Sequence, residues 1–102
     1  MTKESIHITG IPYFPGMAAG RLQKGSRGDI RGNILLISQH ELADCRTSPA
    51  GFIVVGAAPF SHAMIGLLGQ GVPTVLISAE QAARLEQDAQ LMIDGTRGLI
   101  SN

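Results

Sequence analysis

The stretch "GAAPFSHAMIGLLGQGVP", Gly56 to Pro73, carries the residues best suited to chemistry. Ser61 and His62 stand side by side after a small-residue turn, and an uncharged apolar run follows them. A neutral imidazole is a competent nucleophile near its reference pKa of about 6.5. Ser61 is a good N-cap, so the pattern predicts a helix over "HAMIGLLGQG", ending at Gly69 or Gly71. A helix N-terminus offers free N–H groups and a partial positive charge, which suits phosphate. That positive end favours the neutral ring over imidazolium, and it favours the charged phospho-form of the ring. On this reading the candidate site is His62 as catalytic nucleophile, with Ser61 and Ala63 binding the phosphoryl group. Gly56, Ala57, Ala58 and Ala63 are small and leave the ring open to a second, large reactant.

Other chemistry fits the residues less well. A lone histidine at a helix start is, however, more often a capping or solvated residue than a catalyst. Ser61 lacks the G-x-S-x-G elbow of a hydrolase nucleophile, and no triad accompanies it. His7, His40 and His62 have no paired ligand spacing, so no metal site is expected. Cys45 is the single cysteine; it excludes an intrachain disulfide and a zinc motif, and reads as a small half-buried hydrophobe.

The elements that must position His62 follow from hydrophobic periodicity. "SIHIT" (Ser5–Thr9) alternates and reads as a strand, and "MAAGRLQKG" (Met17–Gly25) reads as another. Between them "GIPYFPG", with two prolines and two glycines, reads as a rigid turn or loop. "NILLIS" (Asn33–Ser38), "GFIVVG" (Gly51–Gly56) and "VPTVLIS" (Val72–Ser78) are apolar throughout, the pattern of strands buried on both faces. "SQHELADC" has capping-box spacing from Ser38 to Glu41 and predicts a short helix; Ser78 caps a further helix over "AEQAARLEQ". "QLMIDG" and "TRGLIS" read as strands joined through Asp94-Gly95. Strands alternating with helices predict a compact α/β domain with a mixed sheet and short helices packed on it. At 102 residues the chain is read as one domain spanning 1–102. In such sheets the crevice at the carboxyl ends of strands collects ligands, and the "GFIVVG" strand delivers His62 to that edge.

Charge and composition exclude broad classes of partner. Lys and Arg number 8 against 8 Asp and Glu, and no basic cluster occurs, so nucleic acid is not expected. No apolar run approaches the ~20 residues of a membrane span. "MTKESIHITG" lacks the apolar stretch of a signal peptide, so a cytoplasmic protein is expected.

In four segments, taken in order, the chain resembles the phosphohistidine swivelling domain of phosphoenolpyruvate-utilising enzymes, such as phosphoenolpyruvate synthase, pyruvate phosphate dikinase and enzyme I. "GIPYFPGMAAGRL" resembles the opening G-x-x-x-S-P-G-x-A-x-G-x-V; "NILLISQHELADCRTSPAGFIVV" resembles the strand, helix and strand that lead to the site. "GAAPFSHAMIGLLGQGVPTVL" resembles G-G-x-T-S-H-A-A-I-x-A-R followed by G-I-P-x-V, and "LMIDGTRGLI" resembles the closing V-x-V-D-G-x-x-G-x-V. The resemblance implies a swivelling β/β/α-type fold, with His62 aligned to the phosphorylated histidine. It implies a phosphoryl carrier that is one component of a phosphotransferase, not a complete enzyme. It implies no cofactor held by the domain itself. The phosphoryl group would come from phosphoenolpyruvate or, with magnesium, from ATP. The partners would be a nucleotide-binding ATP-grasp domain, a phosphoenolpyruvate-binding barrel domain, or both.

The chain departs from that pattern at Ala57, Phe60 and Leu68, which stand where the family has Gly, Thr and Arg. Thr and Arg would donate hydrogen bonds, worth roughly 1.5–3 kcal/mol each to a charged group. The alternative function is therefore a non-catalytic interaction or regulatory module of swivel fold with a degenerate site. A third reading is a small-anion binder that uses the helix end alone. Pro15-Gly16, Gly71, Pro73 and Asp94-Gly95 are read as turn and terminator residues, and Arg97 as a turn residue that bears on the site only if the fold brings it there.

Overall fold

The computed structural model describes residues 6–25, 31–38, 49–56, 65–66 and 69–102. Eight strands run in chain order: β1 (His7–Thr9), β2 (Ile11–Phe14), β3 (Met17–Lys24), β4 (Ile34–Ser38), β5 (Gly51–Val55), β6 (Thr74–Ile77), β7 (Gln90–Asp94) and β8 (Leu99–Ser101). A single turn of helix, α1 (Ala79–Ala82), lies between β6 and β7. The strands form one sheet in the order β1-β8-β7-β3-β4-β5-β6-β2. Pairings β3–β4, β4–β5 and β5–β6 are parallel; the others are antiparallel.

The first and last strands in that order are neighbours in sequence. Only Gly10 separates β1 from β2, so the sheet curls until its two edges meet there. The Gly10 amide donates to the Gly98 carbonyl at 2.7 Å, extending the β1–β8 ladder. A Cβ on Gly10 would collide with the Leu76 carbonyl oxygen of β6, so this junction requires glycine. At the opposite side β3 joins the two halves. Its residues Met17 to Arg21 pair with β7, and Leu22 to Lys24 pair with β4.

The curled sheet encloses one core, built from Ile8, Leu22, Ile53, Leu91, Ile93 and Ile100 among others. A second cluster, Leu35, Ile37, Phe52, Val54 and Leu76, lies on the other face of β4, β5 and β6, with Tyr13 and Val72 packed on it. Those three strands are buried on both faces, which accounts for their unbroken apolar sequences. Strands β3 and β7 alternate exposed and covered residues, the pattern of a sheet with one face in solvent.

The expected α/β class is corrected by this architecture: strand makes up 51% of the described residues and helix 8%, so what is described is a mixed β-sheet. The helix after Ser78 shows why. Its capping box forms, with the Gln81 amide donating to Ser78 Oγ at 3.1 Å and the Ser78 amide to Gln81 Oε1 at 3.0 Å. The helix stops at Ala82 because the following residues serve the sheet. Leu85 is 1% exposed in the core, and the Asp88 amide donates to the Leu22 carbonyl at 2.8 Å with φ +68. Tertiary burial thus overrides the helix propensity of "AEQAARLEQ". The helices expected after Ser38 and Ser61 lie outside the described residues, except that Ile65 and Gly66 are helical.

A second difference is β2, expected as a loop. Pro12 is tolerated because β2 pairs only with β6 and the ladder shifts register between Pro12 and Phe14. The other strands lie where periodicity put them, to within two residues at their ends, except that β8 starts three residues later than "TRGLIS". The turn from β7 to β8 occupies Gly95 to Arg97 and Gly98, a longer connection than Asp94-Gly95 alone.

Candidate functional site

Strands β4, β5 and β6 run side by side in one direction, and their carboxyl ends make a common edge. Register places Ser38 beside Val55 and Val55 beside Ile77. The chain leaves this edge at Gly56, whose amide donates to the Ile77 carbonyl at 3.1 Å. Gly56 has φ +64, in the left-handed region that L side chains avoid, and a Cβ there would meet nothing. Backbone conformation, rather than crowding, is what requires glycine where the strand turns away. Ser61, His62 and Ala63 follow within seven residues of Gly56 and lie outside the described residues, as do Ala57, Phe60 and Leu68. Ser78, at the end of β6, caps α1 through its hydroxyl.

The other segments singled out by sequence meet at the amino end of β6, opposite to this edge. The Gly95 amide donates to the Gly16 carbonyl at 2.7 Å, and the Gly16 amide donates to Thr96 Oγ1 at 3.1 Å. Pro73 packs beside Gly16, and its carbonyl accepts from the Phe52 amide at 2.9 Å. Asp94 Oδ1 accepts from the amides of Thr96 and Arg97 at 3.0 and 3.2 Å. Arg97 stays with this turn: its Nε lies 3.9 Å from Asp94 Oδ2 and its side chain is 77% exposed. Pro15-Gly16, Pro73 and Asp94-Gly95 therefore form a structural joint that ties β2, β3, β6 and β7 together, as their turn-forming chemistry suggested.

Among the described residues no group of three His, Cys, Asp or Glu side chains could hold a metal ion. His7, the described histidine, is exposed on β1. Tyr13 borders the second apolar cluster, and burial pushes its hydroxyl above the ordinary phenol value. Among the described residues no helix is long and apolar enough to cross a membrane.

The fold is similar to the solution NMR structure of a UPF0107 protein, with a TM-score of 0.65 over 93% of this chain and 97% of that one. Identity between the two is 13%, so the likeness concerns the fold alone. No family model and no curated protein matches the sequence. These comparisons correct the resemblance to the swivelling domain of phosphoenolpyruvate-utilising enzymes: the structural likeness is to a UPF0107 protein instead. The physical reason is that three of the four segments carrying the resemblance are turn, joint and buried-strand residues. They report how the sheet is folded and say nothing specific about phosphoenolpyruvate.

Proposed function

We propose that the protein is a phosphoryl carrier in which the His62 ring is transiently phosphorylated. One observation carries this reading: Gly56 launches the segment bearing Ser61 and His62 from the carboxyl edge of three parallel strands. That edge is where sheets with parallel strands collect ligands. The imidazole nitrogen attacks the phosphorus of the donor; the N–P bond forms as the donor's P–O bond breaks, and the leaving oxygen keeps the electron pair. Backbone N–H groups at Ser61 and Ala63 receive the phosphoryl oxygens. The donor is phosphoenolpyruvate, or ATP with magnesium, held on a partner domain or subunit in the cytoplasm. The chain is then one component of a phosphotransferase, and a second partner discharges His62.

The test is labelling with radioactive phosphoenolpyruvate or ATP in a cell extract, alongside phosphoramidate as a small-molecule donor. The expected product is an acid-labile, base-stable label that His62→Ala loses and that His7→Ala and His40→Ala keep. A label that survives in His62→Ala, or a wild-type chain that neither the extract nor phosphoramidate labels, overturns the reading. In that event the runner-up, a non-catalytic interaction module, takes its place. The large exposed side chains of Met17 and Met92 favour that second reading.

A further inference from the structure

Asp94-Gly95 is the only Asp-Gly pair in the sequence, and no Asn-Gly pair occurs. The dipeptide is chemically labile, because the glycine nitrogen has no side chain of its own to shield it and can attack the aspartate Cγ. The new N–C bond closes a succinimide ring as a carboxyl C–O bond breaks, and the oxygen leaves as water. Water then re-enters at either ring carbonyl and breaks its bond to nitrogen. Entry at Cγ restores aspartate. Entry at the main-chain carbonyl gives isoaspartate, whose backbone runs through Cβ and Cγ and is longer by a methylene.

The fold both demands this pair and restrains it. Gly95 is buried, and a Cβ on it would collide with the Phe14 carbonyl oxygen and lie 3.1 Å from both the Phe14 carbonyl carbon and the Thr74 nitrogen, so only glycine fits. Asp94 closes the turn through its carboxylate, whose Oδ1 accepts from the Thr96 and Arg97 amides. Each reacting group is thereby occupied. The Gly95 nitrogen donates its proton to the Gly16 carbonyl at 2.7 Å, and the Asp94 carboxylate is held by two amides with Arg97 Nε 3.9 Å from Oδ2. On the solvent side a side-chain bond holds the joint shut: the Gly16 amide donates to Oγ1 of the exposed Thr96 at 3.1 Å.

We propose that Asp94-Gly95 is a modification site gated by this joint: the pair forms isoaspartate when the joint opens, and the joint then cannot reclose. Local opening exposes the nitrogen, so the rate follows how often Gly95 and Gly16 separate. Reclosure fails because the slot that excludes a Cβ on Gly95 has no room for a lengthened main chain. The added methylene also displaces the Gly95 amide from the Gly16 carbonyl. The consequence falls on β2, β3, β6 and β7, which the joint ties together. It lies at the amino end of β6, opposite the edge from which the His62 segment departs, so it stands apart from the phosphoryl-carrier reading.

Ageing the full chain at physiological temperature and mildly alkaline pH tests this, with isoaspartate at position 94 counted by peptide mapping. The chain unfolded in guanidinium should form it roughly tenfold or more faster than the folded chain. Thr96→Ala, which loses the acceptor for the Gly16 amide, should age several times faster than wild type while still folded, and Thr96→Ser should restore the wild-type rate. In the isoaspartyl chain, separated by chromatography, the Gly95 amide should lose its hydrogen-exchange protection. The Leu22 amide, bonded to the Ala89 carbonyl, should keep its own. Equal rates in folded and unfolded chains overturn the proposal, as does an unfolded chain that forms no isoaspartate at position 94. So does Thr96→Ala ageing at the wild-type rate, or a protected Gly95 amide in the isoaspartyl chain.

Discussion

The two halves of the sheet solve the same covering problem differently. In β4, β5 and β6 both faces are buried: Ile34 and Leu35, or Phe52 and Ile53, point to opposite sides and are all 0% exposed. In β3 and β7 only one face is buried. Leu22, Leu91 and Ile93 enter the core, whereas Met17, Ala19 and Met92 face outward. Strand direction underlies the difference. Parallel neighbours need crossover connections that run from one end of the sheet to the other, and here those connections span residues 39–50 and 56–73. The antiparallel pair β7–β8 needs only the turn from Gly95 to Gly98. The half with long connections is the half that carries the candidate nucleophile. The half with a short turn leaves a face open to water.

That contrast makes a stability experiment decisive. Phe52→Ala removes a side chain buried between β4 and β6 and is expected to cost about 3–5 kcal/mol in urea unfolding. Met92→Ala, on the open face, should stay within about 0.5 kcal/mol of wild type in dilute solution. Similar losses at the two positions would mean that the outward face of β7 is covered in solution and that the contrast is false.

A smaller effect sharpens the boundary between the halves. Ser78 follows β6 and caps α1, and Gln81 Nε2 donates to the Thr9 carbonyl of β1 at 2.8 Å. Ser78→Ala should therefore cost about 1 kcal/mol in thermal or urea unfolding. An unchanged midpoint would show that this short helix contributes nothing to the seam between β6 and β1.

The smallest effect is a pH dependence. Burial raises the Tyr13 hydroxyl above its unfolded value of about 10. A group whose folded pKa is raised contributes its stability fully below the unfolded value and loses it as pH climbs through the folded one. Wild type should thus lose slightly more stability than Tyr13→Phe as pH rises past 10. Parallel curves for the two chains would remove Tyr13 from the second cluster's account.

How much of this was legible in the sequence depends on the range of the interaction. The continuous apolar runs at Ile34–Ile37 and Phe52–Val55 announced strands covered on both sides, because the signal lies within a few adjacent residues. The small-residue run from Met17 announced a strand, but not that one of its faces is exposed. Pro12 concealed β2, since a proline reads as a loop unless the strand is known to have a partner on one side only. The short length of α1 was also hidden, because Leu85 is drawn into the core by residues far from it in sequence. For the candidate site, the glycine that turns the chain away from β5 was legible, and the joint between Gly16, Pro73 and Gly95 was legible only as separate turns.

The amino-acid sequence by itself determined where the strands other than β2 form and which imidazole follows the "GFIVVG" strand, because side-chain period and turn chemistry act over a handful of residues. Only the tertiary structure decided that Gly10 splits one extended segment between the two edges of the sheet. It alone decided which face of β3 and β7 meets water. Those outcomes rest on pairings such as His7 with Ser101 and Ile11 with Leu76, which join residues remote in sequence and leave no local trace.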